Sequence, residues 1–285
     1  MNYPLITLYV PGTRPELIDK ALRASADAII IDLEDTVPVN LKNQVRDNIH
    51  EILSNANQKF LVRINNEPNH LEEDLEKMVS KNVYAILLPK AENPNQIHQI
   101  DVIMTEAERN HNLPVNSVKI IPMIETALGV IRCFELAIAS QRVETITFGS
   151  AEDGDLQGDL KCAWSLDGTE LLYARSKVLL DSRAARLPYV LDGAFSDIKN
   201  DRALLADCEL SKRLGYDGRT LVHPQQVPIA RKAYSPSDDE LDYYRKLIGA
   251  FEAAENSGSA SISLGGKLVD YAMYKKAKSF IDPYD

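Results

Sequence analysis

The chain has 285 residues, enough for one large domain or two ordinary ones, and a single barrel of roughly 250 residues is allowed. Its 42 acidic and 32 basic residues leave a formal charge of −10, with the lysines and arginines scattered, which argues against nucleic acid or an anionic membrane as partner. No apolar run approaches the ~20 residues of a membrane span, the start MNYPLITLYVPG has no basic region leading into a long apolar stretch, and Cys133, Cys162 and Cys208 lack the spacing of a zinc or redox motif; the expectation is a cytoplasmic protein with reduced thiols.

Along the chain one pattern recurs: a short aliphatic and β-branched run, a polar or glycine-containing end, then a segment with helical spacing. The runs are Leu5–Val10, Ala28–Leu33, Phe60–Ile64, Tyr84–Leu88, Val118–Met123, Glu144–Phe148, Pro188–Leu191 and Arg219–Val222. Most are continuously apolar, as strands covered on both faces by helices should be. Helices are expected at Pro15–Ser25, Leu71–Lys81, Ala127–Ser140 and Gly168–Arg186. In the first, Leu17, Ile18, Ala21 and Leu22 share one stripe, and Glu16, Asp19, Lys20 and Arg23 face away. Eight βα units without a break in composition favour an α/β fold of the (β/α)₈ TIM-barrel type over an open doubly wound sheet. The barrel is expected over residues 1–235 and a C-terminal helical extension over 236–285. In the extension, Ser235-Pro-Ser-Asp-Asp-Glu240 opens a helix to about Glu255, Asn256–Gly266 is a Ser/Gly-rich loop, and Lys267–Ile281 returns to helical spacing. Such a tail suits a lid or a docking element.

In a barrel every strand end faces one mouth, and these ends carry much charge. Strand two ends in Asp32-Leu-Glu34-Asp35, strand three in Arg63-Ile-Asn65, strand four in Lys90, strand five in Glu125, strand six in Glu152-Asp153 and strand eight in His223. Carboxylates gathered around one cavity must be neutralised, most simply by a hard divalent cation that keeps waters for the substrate, so a magnesium site is inferred. Arg63 is a permanently charged planar donor that can grip a carboxylate or an enolate-like oxygen, or pair with a neighbouring acid at the rim. Glu125 reads either as a metal ligand or as a solvated acid near a helix start, and its pairing with Asp153 on the next strand favours the ligand. Glu34 and Asp35 read either as a salt-bridging pair or as groups orienting a metal's waters. His223 reads as a satisfied rim histidine, and Asp270 as an acid favoured by the dipole of the last helix.

The motifs LYVPGTRPE with Lys20-Ala21, DAIIIDLEDTVPVNLKNQVR, LVRIN, LLPKAE, IPMIETALGV, FGSAEDGDLQGD, LGYDGRTLVHPQQ and GGKLVD together resemble the citrate lyase β-subunit (CitE-like) family of acyl-CoA lyases, within the HpcH/HpaI aldolase/citrate lyase superfamily. The likeness covers nearly the whole chain. It implies a (β/α)₈ barrel with a C-terminal helical extension, Mg²⁺ held by Glu125 and Asp153, and Arg63 and Glu34 as catalytic residues, with Arg63 at the substrate's oxygens. Asp270 is implied as catalytic acid/base, presented in several members to a neighbouring subunit. The resemblance further implies a CoA thioester substrate, Arg14 and Lys20 as contacts for CoA, and a homo-oligomer, trimeric or larger. The implied reaction is cleavage of citramalyl-CoA or malyl-CoA to a 2-oxo acid and acetyl-CoA. Its competitors are the β subunit of a multi-subunit citrate lyase acting on an acyl-carrier thioester, a non-catalytic module of a complex, and a pyruvate-type aldolase that works without CoA.

Overall fold

Residues 3–282 are described by the computed structural model of the chain. Eight parallel strands close in sequence order into a barrel: β1 (Ile6–Pro11), β2 (Ala28–Asp32), β3 (Phe60–Arg63), β4 (Val83–Leu88), β5 (Lys119–Ile124), β6 (Thr147–Phe148), β7 (Leu191–Asp192) and β8 (Gly218–Leu221). Helices α1 (Ile18–Arg23), α2 (Lys42–Ser54), α3 (Pro68–Met78), α4 (Pro94–Asn110), α5 (Ala127–Ile131), α6 (Cys133–Ala137), α7 (Asp155–Leu160), α8 (Leu172–Ala184), α9 (Asp201–Leu214) and α10 (Gln226–Tyr234) connect and surround them. The (β/α)₈ expectation is met.

The apolar strand runs have a direct cause in this geometry. Alternate residues of β2 point opposite ways, so Ile29 and Ile31 join the large core beneath the helices, while Ile30 joins Leu61, Ala85, Leu87, Ile121 and Met123 inside the barrel. With both faces buried, neither position tolerates charge. Closure depends on Gly218: a Cβ there would lie 1.9 Å from the Leu5 carbonyl oxygen, so only a bare backbone lets β8 approach β1. Outside the barrel, Arg142 is completely buried and donates to Glu108 at 2.7 and 2.8 Å and to Asp101, fastening the chain ahead of β6 to α4.

Some expected elements differ in detail. The helix expected over Ala127–Ser140 breaks at Arg132 (φ −97°, ψ 12°) into α5 and α6. The helix expected from Gly168 begins only at Leu172, because Gly168 adopts φ +65° and Ser165 and Asp167 build a turn before it. The seventh strand is two residues, Leu191–Asp192, shifted beyond the Pro188–Leu191 run.

By its internal contacts the chain divides into two compact units, Met1–Tyr234 and Ser235–Asp285. Within the second, α11 (Asp238–Asn256) starts in a capping box between Ser237 and Glu240. The stretch expected as a loop running into helix at Lys267 is instead a hairpin, β9 (Ile262–Leu264) and β10 (Lys267–Val269). Its two turn residues, Gly265 and Gly266, take φ of +57° and +76°, the pair of left-handed conformations that a two-residue hairpin turn requires. Helix α12 (Tyr271–Ile281) follows, with Asp270 as its N-cap, and Leu247, Phe251, Val269 and Ala277 form this unit's core. Among the described residues no helix is long and apolar enough to cross a membrane.

Removing Arg142 would leave Glu108 fully buried without its cation. Arg142→Met is therefore expected to destabilise the barrel by about 3–5 kcal/mol, measured by urea unfolding.

Candidate active site

At the carboxyl ends of the strands lies a cavity of about 320 Å³, lined in part by Tyr9, Asp32, Asp35, Arg63, Glu125 and Asp155. Its geometry starts from Arg63, the last residue of β3. The guanidinium reaches across to β2 and grips Asp32 through two donors, Nε at 2.7 Å and Nη2 at 2.8 Å. Burial alone would raise the Asp32 pKa, but Arg63 and the Thr36 hydroxyl, 2.7 Å away, outweigh it and hold the carboxyl below its ordinary range. Nη1 of Arg63 lies 3.0 Å from Glu34 Oε2, an ion pair without aligned hydrogen-bond geometry, and 3.5 Å from Asp35. The guanidinium carbon also sits 5.1 Å from the centre of the Tyr9 ring, a cation–π contact that fixes the plane of the fork.

Lys90 ties the other half of the mouth together. It holds φ +49°, uncommon for a residue with a side chain, and this turns its backbone N–H onto Glu125 Oε1 at 2.8 Å. Its ammonium meets Glu34 Oε1 at 2.7 Å and Asp155 Oδ2 at 3.2 Å. Burial nonetheless raises the Glu34 pKa, overriding the attraction of Arg63 and Lys90. Glu125 follows β5 directly and is 7% exposed. Burial, and then the negative charge of Glu34, push its pKa up to about 7. No described residue donates a hydrogen bond to its other oxygen. Thr126, next in sequence, caps α5 by accepting the Gly129 N–H at 3.0 Å, so the strand stops and the helix begins around this carboxylate. Gly149 makes room for it, since a Cβ there would lie 2.6 Å from Glu125 Cβ.

The structure brings Glu34, Arg63 and Glu125 together as the strand-end reading expects. In the loop after β6 Asp155, first residue of α7, lines the cavity and is itself exposed, and Asp153, also exposed, takes φ +57° with its N–H donating to Gln157 Oε1. Arg14 is exposed and paired with Glu16, and Lys20 lies on α1 beside a surface pocket it shares with Arg23 and Arg231. His223 accepts the Gln225 N–H through Nδ1, the satisfied rim histidine expected. Asp270 belongs to the second unit, where its side chain accepts the N–H groups of Ala272 and Met273 at 3.0 and 3.1 Å. This is the helix-start role read from its position.

Several contributors escape a sequence reading. Tyr9 lies in an apolar strand where alternation carries no signal. Ser150 lines the cavity with a buried hydroxyl that has no described partner, and the small pair Gly149-Ser150 after strand six was the one available hint. Arg219, inside the eighth strand run, is fully buried against Asp207 at 2.8 Å and donates to the Gly193 carbonyl at 2.7 Å, positioning another wall of the cavity.

Five carboxylates around Arg63 and Lys90 leave the mouth with an excess of negative charge if all ionise. Among the described residues no three carboxylate, thiol or imidazole groups converge as a closed metal cage. The donor set still fits a hard cation that keeps water ligands, because the buried Glu125 carboxylate has an oxygen without a described donor and loses its desolvation penalty beside positive charge.

A parallel eightfold barrel with chemistry gathered at its carboxyl mouth defines a (β/α)₈ enzyme. Residues 5–224 match the HpcH/HpaI aldolase/citrate lyase family, and the chain belongs to it as a CitE-like lyase. It is 33% identical over 275 residues to the citrate lyase subunit beta of Leuconostoc mesenteroides subsp. cremoris, across 95% of this chain and 90% of that one. It is 31% identical over 267 residues to the (3S)-malyl-CoA thioesterase of Cereibacter sphaeroides, across 92% and 88%. Among solved structures, CitE from Mycobacterium tuberculosis in complex with magnesium, acetoacetate and coenzyme A superposes with a TM-score of 0.78 at 27% identity, covering 98% of this chain and 97% of that chain.

The elevated Glu125 pKa has a measurable sign. Between its ordinary value of 4.5 and about 7 the folded protein binds a proton that the unfolded chain does not. That stability is present below pH 4.5 and lost as pH rises to 7, on the order of 3 kcal/mol. In metal-free buffer Glu125→Gln is expected to gain stability relative to wild type between pH 5 and 8, read from urea midpoints.

Proposed function

We propose that this chain is a Mg²⁺-dependent carbon–carbon lyase that cleaves a 3-hydroxy-3-carboxyacyl-CoA, of the citramalyl-CoA or malyl-CoA type, to a 2-oxo acid and acetyl-CoA. It works in the cytoplasm as a homo-oligomer. The observation that carries the reading is the buried Glu125 carboxylate, tied at one oxygen to the Lys90 N–H in a cavity with more carboxylates than cations. The magnesium, acetoacetate and coenzyme A bound by the related M. tuberculosis protein support it.

Glu125 and Asp153 would hold Mg²⁺, leaving further oxygen positions to water and substrate. When bound, the ion would supply Lewis-acid stabilisation of charge developing on a substrate oxygen. Arg63, locked by Asp32 and the Tyr9 ring, offers a preorganised positive charge to the substrate's carboxylate and to its hydroxyl oxygen, which becomes negative as it loses its proton. Glu34 keeps Arg63 and Lys90 in place from behind. As the carbon–carbon bond breaks, the substrate hydroxyl gives up its proton to water and its oxygen becomes the keto carbonyl, while the bond's electron pair passes to the acetyl thioester carbon, where Asp270 delivers a proton; in condensation Asp270 removes that proton and the new hydroxyl takes one from water. Arg14 and Lys20 attract the CoA phosphates, and the exposed Arg14–Glu16 pair costs little to open.

Purified protein is expected to cleave citramalyl-CoA or malyl-CoA and to lose that activity with EDTA. Asp270→Asn is expected to lower kcat by about 10²-fold or more. Metal-independent cleavage, or full activity in Asp270→Asn, would overturn the mechanism. Product identification separates the competing readings: malate and free CoA would indicate a thioesterase, and turnover of free pyruvate adducts without affinity for CoA an aldolase.

The 33% identity to the Leuconostoc subunit, which spans 90% of that subunit's length, favours a second reading, a subunit acting on an acyl-carrier thioester. Activity of the isolated chain on CoA thioesters rejects that alternative. The metal ligands are tested separately by calorimetry: Asp153→Asn is expected to abolish Mg²⁺ binding. Asp155, whose carboxylate pairs with Lys90, is expected to weaken it less as Asn.

A further inference from the structure

Helices on the outside of a barrel normally show charge to solvent, and α2 and α3 do so: their outward positions include Asp47, Glu51, Glu72, Glu73 and Glu76. The helices after β5 and β6 depart from this. Leu128 and Ile131 on α5, Phe134 on α6 and Ile138 as the cap at its end follow one another at three- and four-residue steps across the break at Arg132, and Tyr173 and Leu180, seven apart, share one face of α8. All six are between 40% and 72% exposed.

These positions form one surface. The Asp181 carboxylate on α8 accepts the Phe134 N–H at 3.2 Å, and Cys133 Sγ lies 3.8 Å from the Val178 carbonyl, so the start of α6 lies directly against the middle of α8. The charges set into this seam cancel, because Lys177 pairs with Asp181 one helical turn away. Polar residues such as Glu135 and Ser176 border it. Side chains of this size span roughly 150–250 Å² each, so the six leave on the order of 600 Å² of apolar surface in water. That reaches the upper limit for the largest patch on a monomer, and with its polar border it approaches the ~800 Å² per partner of a stable interface.

We propose that the outward face of α5, α6 and α8 is the surface through which copies of this chain associate, an inference that rests on the homo-oligomer reading above and assigns it a place. A second copy fits better than a charged partner because the Lys177–Asp181 ion pair within the seam cancels and the exposed side chains that define the face are apolar. Two chains of charge −10 also meet with least repulsion where neither presents charge.

Light scattering on the full-length protein at micromolar concentration is expected to give at least two chains per particle for wild type. For Ile131→Glu combined with Leu180→Glu, a single chain with unchanged far-UV circular dichroism is expected. A multimeric wild type whose variant keeps the same mass overturns this face and leaves self-association standing; a monomeric wild type overturns both. If the charged pair does not fold, Ile131→Ser with Leu180→Ser is read in the same way. Val102→Glu on α4, as exposed as Ile131, is the control, and loss of assembly there would also overturn the assignment.

Discussion

The Arg63 guanidinium is the counter-ion around which the barrel mouth is assembled. Two buried carboxylates, Asp32 and Glu34, both depend on it, and burying either without a cation would cost several kcal/mol. Asp32 in turn accepts the backbone N–H groups of Glu34 and Thr36, so the fork that grips it also shapes the loop after β2. From Glu34 the linkage runs through Lys90 to Glu125 and Asp155, spanning the loops after β2, β4, β5 and β6. Charge neutralisation and loop geometry are the same set of contacts. A change in any one ionisable group therefore acts on both the electrostatics and the shape of the cavity.

Much of this was legible in the sequence for a simple reason. Strands buried on both faces must be apolar throughout, so a charged residue at the end of such a run marks the edge of the barrel, and Glu34, Arg63, Lys90 and Glu125 all carry that signature. The reading weakened where strands are shortest. The seventh contributes two residues, too few for a pattern, and the region after β6 turns through several irregular residues before α7. There, position in the chain no longer indicates which acid lines the cavity: Asp155 does so from the start of α7, and Asp153 sits two residues earlier at a left-handed turn. Tyr9 and Arg219 were opaque for a different cause: each lies inside a strand, and only three-dimensional pairing shows what it touches.

The tail shows how local chemistry can override periodicity. Lys267–Val269 carries residues compatible with a helix, yet the preceding Gly265-Gly266 pair folds the chain back on Ile262–Leu264, and the helix waits for Asp270 to cap it. The resemblance assigns Asp270 to chemistry and the fold assigns it to capping. Both capping N–H groups donate to Oδ1, so Oδ2 stays outside the cap, and one carboxylate can fix the helix start with one oxygen and exchange a proton through the other.

Lys90 divides its duties between two parts of itself. The amide that anchors Glu125 belongs to the peptide chain and would survive almost any replacement, whereas the ammonium that offsets Glu34 and Asp155 would not. Selection acting at this single codon can thus retune the electric field of the pocket while the position of its central carboxylate stays put, provided the new residue accepts a left-handed backbone. Asparagine or glycine would accept it most readily. Relatives that handle differently charged substrates could diverge at this point first, without rebuilding the barrel.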